Sequence, residues 1–134
     1  MSPGRGAEAG SGSAAPAAAA ASAQPELPTR DGLATLPGDA PAIPDKVPQL
    51  LDYRMRLADE KFYLYVPPNY RGAEPFGLLV FINSGDEMTV PADWKPVLAR
   101  RKLLYIAPQK VGNACFVNRR AGLAVVGLCK MTEL

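Results

Sequence analysis

Hydrophobic and polar positions alternate in two stretches of the chain and then stop alternating. In Leu51-Asp52-Tyr53-Arg54-Met55-Arg56-Leu57 the apolar residues fall on odd positions and the charges on even ones. That is the pattern of a strand with one wet face. Ala58-Asp59-Glu60-Lys61 is polar and short enough for a hairpin turn. Phe62-Tyr63-Leu64-Tyr65-Val66 alternates again, with Phe62, Leu64 and Val66 on one face and Tyr63 and Tyr65 on the other, which reads as an exposed sheet face. Pro67 and Pro68 end it, because proline cannot donate to a ladder.

Further on, Leu78-Leu79-Val80-Phe81-Ile82 and Leu103-Leu104-Tyr105-Ile106-Ala107 are continuously apolar, the second stopped by Pro108. Strands without alternation are buried on both faces, as in a parallel sheet covered by helices. Between them Trp94, Val97 and Leu98 recur at helical spacing, with Pro91 and Asp93 before them and Arg100-Arg101-Lys102 after, an arrangement that suits the helix dipole. Strand, helix, strand is a βαβ unit, whose crossover is expected to be right-handed. A last helix is expected over about Arg119–Leu134, with Asn118 as its cap and Gly122 and Gly127 either weakening it or allowing close packing. The expected fold class is therefore α/β: an antiparallel N-terminal hairpin followed by a βαβα unit.

Composition changes the picture at the N-terminus. Residues 1–48 contain no aromatic residue and are dominated by Ala, Pro, Gly and Ser, too little apolar bulk to offset the entropy of ordering. This segment is expected to be a disordered arm, and residues 49–134 the folded domain. Ala17–Ala23 fits two readings, the small-residue end of a secretory signal or a low-complexity linker. The first places the protein outside the cell or in the periplasm, the second in the cytoplasm. The net charge of +2 and the scattered basic residues, not interleaved with aromatics, speak against nucleic acid as a partner. No apolar run approaches the ~18 residues of a membrane span. Cys115 and Cys129 form no framework; a free thiol in a loop and a buried one in a helix is the reading, with a disulfide as the alternative. With no histidine and no CxxC, neither a metal site nor a cofactor is expected.

The words of the sequence add a resemblance. Phe62-Tyr63-Leu64-Tyr65-Val66-Pro67-Pro68-Asn69-Tyr70 resembles the "yxlYvPxxY" second strand of esterases similar to polyhydroxybutyrate depolymerases, members of the α/β-hydrolase fold. Phe76–Asn83 resembles their "plvVxLHG" third strand, and Leu104-Tyr105-Ile106-Ala107-Pro108-Gln109 their "vxyPxq" fourth. The resemblance covers about residues 50–134 and implies a carboxylic-ester hydrolase acting on an ester substrate, with strands ordered 1-2-4-3-5. It also implies that the backbone N–H groups of Ser84, Gly85 and Asp86 line an oxyanion hole, although Asn83-Ser84-Gly85 stands where relatives carry His-Gly. An ordinary strand-to-helix loop is the plainer reading of the same residues.

The catalytic residues are missing. No Gly-x-Ser-x-Gly elbow occurs, Ser84 is the only serine beyond Ser22, and without histidine a serine hydroxyl has no general base. The expectation is an incomplete serine esterase, the N-terminal part of an α/β-hydrolase, inactive alone. The alternative is a non-catalytic binding or interaction domain with a disordered arm. Without a fifth strand, Leu78–Ile82 becomes an apolar edge through which the chain is expected to self-associate. Asp86-Glu87 reads as solvated, Arg119-Arg120 as an exposed pair or else as partners of an anionic group or of those carboxylates, and Cys115 has no base to make it a nucleophile.

Overall fold

The computed structural model describes residues 26–41 and 56–134. Four strands form one sheet: β1 (Asp31–Ala34), β2 (Phe62–Tyr65), β3 (Gly77–Val80) and β4 (Leu103–Pro108). Helix α1 (Trp94–Arg101) connects β3 to β4, and α2 (Val117–Glu133) follows β4. The sheet order is β1-β2-β4-β3. β1 pairs antiparallel with β2, β2 antiparallel with β4, and β3 parallel with β4. The class is α/β, and the βαβα succession lies where hydrophobic periodicity puts it.

Parity along the strands sorts the core into two layers. Phe62, Leu64, Val66, Leu104 and Ile106 pack with Leu123, Val126 and Met131 of α2. Tyr65, Tyr105 and Ala107 pack with Leu98 of α1 and with Met88 and Val90, while Leu79, Phe81 and Trp94 join from the rim. The continuously apolar β4 is thus covered on both faces. Phe81, Trp94 and Tyr105 form a cluster of rings with centroids 5.2 to 6.4 Å apart. Gly127 lets α2 approach the sheet: a Cβ there would stand 3.2 Å from Ile106 Cδ1 and 3.4 Å from Phe62 Cε1.

Several expectations change. Residues 1–25 and 42–55, which hold most of the expected arm and most of the Leu51–Leu57 strand, lie outside the described residues. Asp31–Ala34, however, falls inside the stretch expected to be disordered and is a sheet strand. It, and not a strand ending at Leu57, is the antiparallel neighbour of β2. Leu57 instead starts a single 3-10 turn, Leu57–Asp59, and is itself buried in the α2-side core. Tyr63 and Tyr65 do not face solvent, because α1 covers that side: Tyr65 is buried, Tyr63 half-buried.

The ends of the elements differ as well. Pro108 closes β4 from within it. The Phe81 N–H donates to the Ile106 carbonyl, so alternate β4 residues face β3, and Pro108, which has no N–H to give, falls just beyond the last residue of that strand and ends the pairing. Asp93 stands at the N-cap position of α1 without a side-chain cap bond. α2 begins at Val117, which puts Asn118 inside the first turn instead of at the cap.

Candidate functional site

In a sheet with parallel strands, loops at the carboxyl ends are where ligands bind. Here the loop after β3 and the loop after β4 lie side by side and are joined by three bonds. The Lys110 N–H donates to the Asp86 carbonyl, the Gly112 N–H to Asp86 Oδ1 at 2.9 Å, and the Asn113 N–H to the Ser84 carbonyl at 2.9 Å. Gly112 is what permits this approach. A Cβ on it would lie 2.5 Å from Asp86 Oδ1 and 2.8 Å from the Ser84 carbonyl oxygen. Lys110 turns the second loop with a φ of 56°.

Beneath the two loops sits Gln109, one of two buried polar residues among the described residues. Its Oε1 accepts the Met88 N–H at 2.9 Å, and its Nε2 donates to the carbonyls of Met88 and Ala107, both at 3.1 Å. One side-chain amide thus stands in for a strand neighbour of Met88 and fixes where the β3 loop turns towards α1. At the other margin an Arg120 guanidinium N–H donates to the Asn83 carbonyl at 3.2 Å, bringing positive charge to the same loop.

The candidate oxyanion residues are brought together at this end, all of them exposed. They are not equivalent. The Ser84 N–H donates to the Asn83 side-chain Oδ1 at 2.6 Å and is therefore occupied. No bond from the N–H of Gly85 or Asp86 is made within the described residues, and no atom stands within 4 Å of where a Gly85 Cβ would be. Gly85 and Asp86 are thus the two open donors. The Asp86 carboxylate, which would oppose an oxyanion, is tied to the Gly112 N–H on the β4 side. Among the described residues Ser84 Oγ has only the Asn83 Oδ1 for a partner, at 3.1 Å. An amide oxygen is no general base, so this hydroxyl has no route to become a nucleophile.

The other candidates fall elsewhere. Arg119 pairs with Glu60 and not with Asp86 or Glu87: the guanidinium holds the carboxylate with both nitrogens, the Nη2–Oε2 contact at 2.7 Å. This joins the first turn of α2 to the entry of β2, and with Glu60 buried the pair is structural in character. Cys115 and Cys129 are both free thiols and both half-buried. Among the described residues no group of three His, Cys, Asp or Glu side chains could hold a metal ion, and no helix is long and apolar enough to cross a membrane.

A polar cluster away from this site was not foreseen in the sequence. Tyr63 Oη donates to Asp31 Oδ1 and Lys95 Nζ to Asp31 Oδ2, each at 2.6 Å, and the same ammonium lies 5.3 Å from the centroid of the Tyr65 ring. The Lys95 bond, with help from Tyr63, holds the Asp31 carboxyl below its ordinary value. Accepted by Asp31, the Tyr63 hydroxyl is pushed up to about 12. The cluster clips β1 to α1. A cleft of about 470 Å³ lies at the opposite end of the sheet, lined by Arg30, Tyr70, Arg71, Leu104 and Met131 among others. No family model, curated protein or solved structure matches the chain.

Proposed function

We propose that this domain is the N-terminal part of a serine carboxylic-ester hydrolase of the α/β-hydrolase type, supplying oxyanion donors and neither nucleophile nor base. The observation that carries the reading is the loop after β3. Two open N–H groups, Gly85 and Asp86, sit at the carboxyl end of a parallel strand, on a loop held from beneath by Gln109, Gly112 and Asn113. The order β2-β4-β3 supports it, being the order the sequence resemblance implies for its second, fourth and third strands, while β1 (Asp31–Ala34) lies outside the resembling stretch. In such a reaction a serine attacks the ester carbonyl, the carbonyl oxygen gains negative charge, and prepositioned donors stabilise it. The residues here provide only the last of these.

Two measurements test the reading. Hydrolysis of p-nitrophenyl acetate and butyrate by the chain should stay at the uncatalysed rate and be unchanged in Ser84→Ala; turnover lost in that variant would overturn it. In an amide NMR titration with butyrate, a stand-in for the acyl product, the Gly85 and Asp86 signals should move first. The cleft beside Arg30 and Arg71 favours a second reading, a non-catalytic binding domain. Shifts confined to Tyr70, Arg71 and Met131 would select it. The open side of β3 supports a further part of the proposal, association of the domain along Leu78–Ile82.

A further inference from the structure

Among the described residues, β3 is an edge strand with no strand paired on its outer side. The N–H groups of Gly77 and Phe81 donate inward, to the carbonyls of Lys102 and Ile106. By alternation those of Leu78, Val80 and Ile82 point outward, and so do their carbonyls. Nothing in Phe76–Ile82 is charged, and there is no proline to blunt the edge. The side chains from Leu78 to Ile82 are all half-buried, so both faces of the sheet are incompletely covered here.

The helix above continues the same surface. Val117, Arg120, Ala124 and Leu128 share one face of α2, being three, four and four residues apart. Arg120 bonds the Asn83 carbonyl at the end of β3, which places this face on the β3 side. Val117 is 70 % and Leu128 47 % exposed. An unpaired apolar strand edge and an exposed apolar helix flank thus form one continuous ledge.

Resting on the proposed association along β3, we infer that the occupant of this ledge is a second copy of the same chain, paired antiparallel across a two-fold axis near Leu79. Three features select a copy of this chain over an unrelated partner. The edge is self-complementary, since pairing about Leu79 sets Leu78 opposite Val80 of the second copy, and the outward N–H and C=O groups of each meet. The axis keeps both α2 helices on one face of a continuous eight-stranded sheet, so that each apolar flank meets its counterpart. The rim charges also complement one another. The exposed Glu74–Lys102 pair stands at the start of the edge and Arg120 at its end, so antiparallel pairing turns Glu74 towards Arg120 of the second copy at both ends. A four-residue edge is small against the roughly 800 Å² a side that specific interfaces bury, so the helix flank must form part of the contact.

The test is the oligomeric state of the full chain, by sedimentation equilibrium between about 1 and 100 μM, where a modest interface dissociates. A monomer–dimer equilibrium is expected. Val80→Pro removes an outward N–H without breaking a bond to β4, and V117D/L128E charges exposed helix positions; each should weaken the dimer about tenfold or more. Far-UV circular dichroism and thermal melts check that the variants keep the fold. A monomer throughout overturns both the inference and the association along β3, and assigns the edge to a different partner. Association broken by Val80→Pro but untouched by V117D/L128E overturns the two-fold arrangement and leaves the edge reading standing. Open-ended aggregates in place of a dimer overturn the closed pairing too.

Discussion

Gln109→Met is the substitution with the most decisive consequence for the candidate site. It keeps the side chain's approximate volume, so little cavity is opened, and it removes three hydrogen bonds at once. The groups abandoned are the Met88 N–H and the Met88 carbonyl, while the Ala107 carbonyl keeps its ladder partner Tyr63 in β2. Met88 is 5 % exposed, so water cannot easily take over. Each buried polar group left unmet costs about 1–3 kcal/mol. Taking the low end for both gives about 2 kcal/mol, a large part of the ~5–15 kcal/mol that holds a domain folded. For a domain of under about 100 residues that corresponds to a fall in melting temperature of roughly 8–16 °C. Thermal melts followed by circular dichroism measure the total, and hydrogen exchange at the Met88 amide shows whether the loss is local. Gln109→Glu is the companion: it keeps an acceptor for the Met88 N–H but turns a carboxylate towards two carbonyls. Burial would raise the folded pKa of that carboxyl above the unfolded ~4.3, so its cost should be smallest at low pH and grow as pH rises. If Gln109→Met melts within about 4 °C of the parent with Met88 still protected, the clamp is not what holds the loop.

Gly112→Ala should cost about 1–3 kcal/mol, because its Cβ meets backbone of the β3 loop that cannot swing aside; faster exchange at Asn113, measured together with the melt, would locate the damage. Glu60→Ala should cost up to about 3–5 kcal/mol, less to the extent that the 24 % exposed Arg119 can rehydrate, while a Glu60→Leu, Arg119→Leu double variant should lose much less; equal losses in chemical denaturation would contradict this. The Asp31 cluster makes stability depend on pH at both extremes. Its depressed carboxyl contributes above the unfolded value of about 3.9 and ceases to as pH falls through the native value. The raised Tyr63 hydroxyl contributes below about 10, and that contribution is lost as pH rises towards about 12. Asp31→Asn should flatten the pH profile of the melting temperature at both ends, by no more than the ~0.2–1 kcal/mol of an exposed pair, since the Asp31 side chain is 41 % exposed.

The elements legible in the sequence are those whose formation is driven by burial. Leu103–Ala107 reads as a two-sided strand because α1 and α2 cover its two faces, and Trp94, Val97 and Leu98 read as a helix from their spacing. β1 was illegible for the converse reason. Asp31-Gly32-Leu33-Ala34 offers one large apolar side chain, Leu33, and that side chain is 61 % exposed. The strand is held by backbone pairing with β2 and by the Asp31 clip, neither of which leaves a period in the sequence. The tyrosines of β2 misled because a hydroxyl marks a position as polar while the ring it carries can be buried beneath a helix. In the candidate site, Ser84, Gly85 and Asp86 were named from the resemblance, but the residues that support their loop were not. Gln109 carried one signal, an amide directly after a buried run. Gly112 carried none, since its necessity lies in a loop far from it in sequence.

The arrangement separates two functions that catalysis by a serine hydrolase combines. Donors aimed at an oxyanion accelerate acyl transfer by about 10²–10³ each, but only when charge is made to develop on the carbonyl oxygen. Producing that charge takes a nucleophile and a base, and the Ser84 hydroxyl beside the open donors bonds an amide oxygen. Under the proposed function, the part left to the loop alone is to hold a carbonyl or carboxylate oxygen in the ground state. Its construction suits that role: Gln109, Gly112 and Asn113 fix the backbone from one side and Arg120 from another, so the N–H groups of Gly85 and Asp86 need no reordering to receive an oxygen. A nucleophile carried on a strand beside β3 would arrive next to them, because the loop grows directly out of that strand. The open edge and the open donors are adjacent for one reason: both belong to β3 and the loop that leaves it, and β3 is the edge strand of the sheet among the described residues.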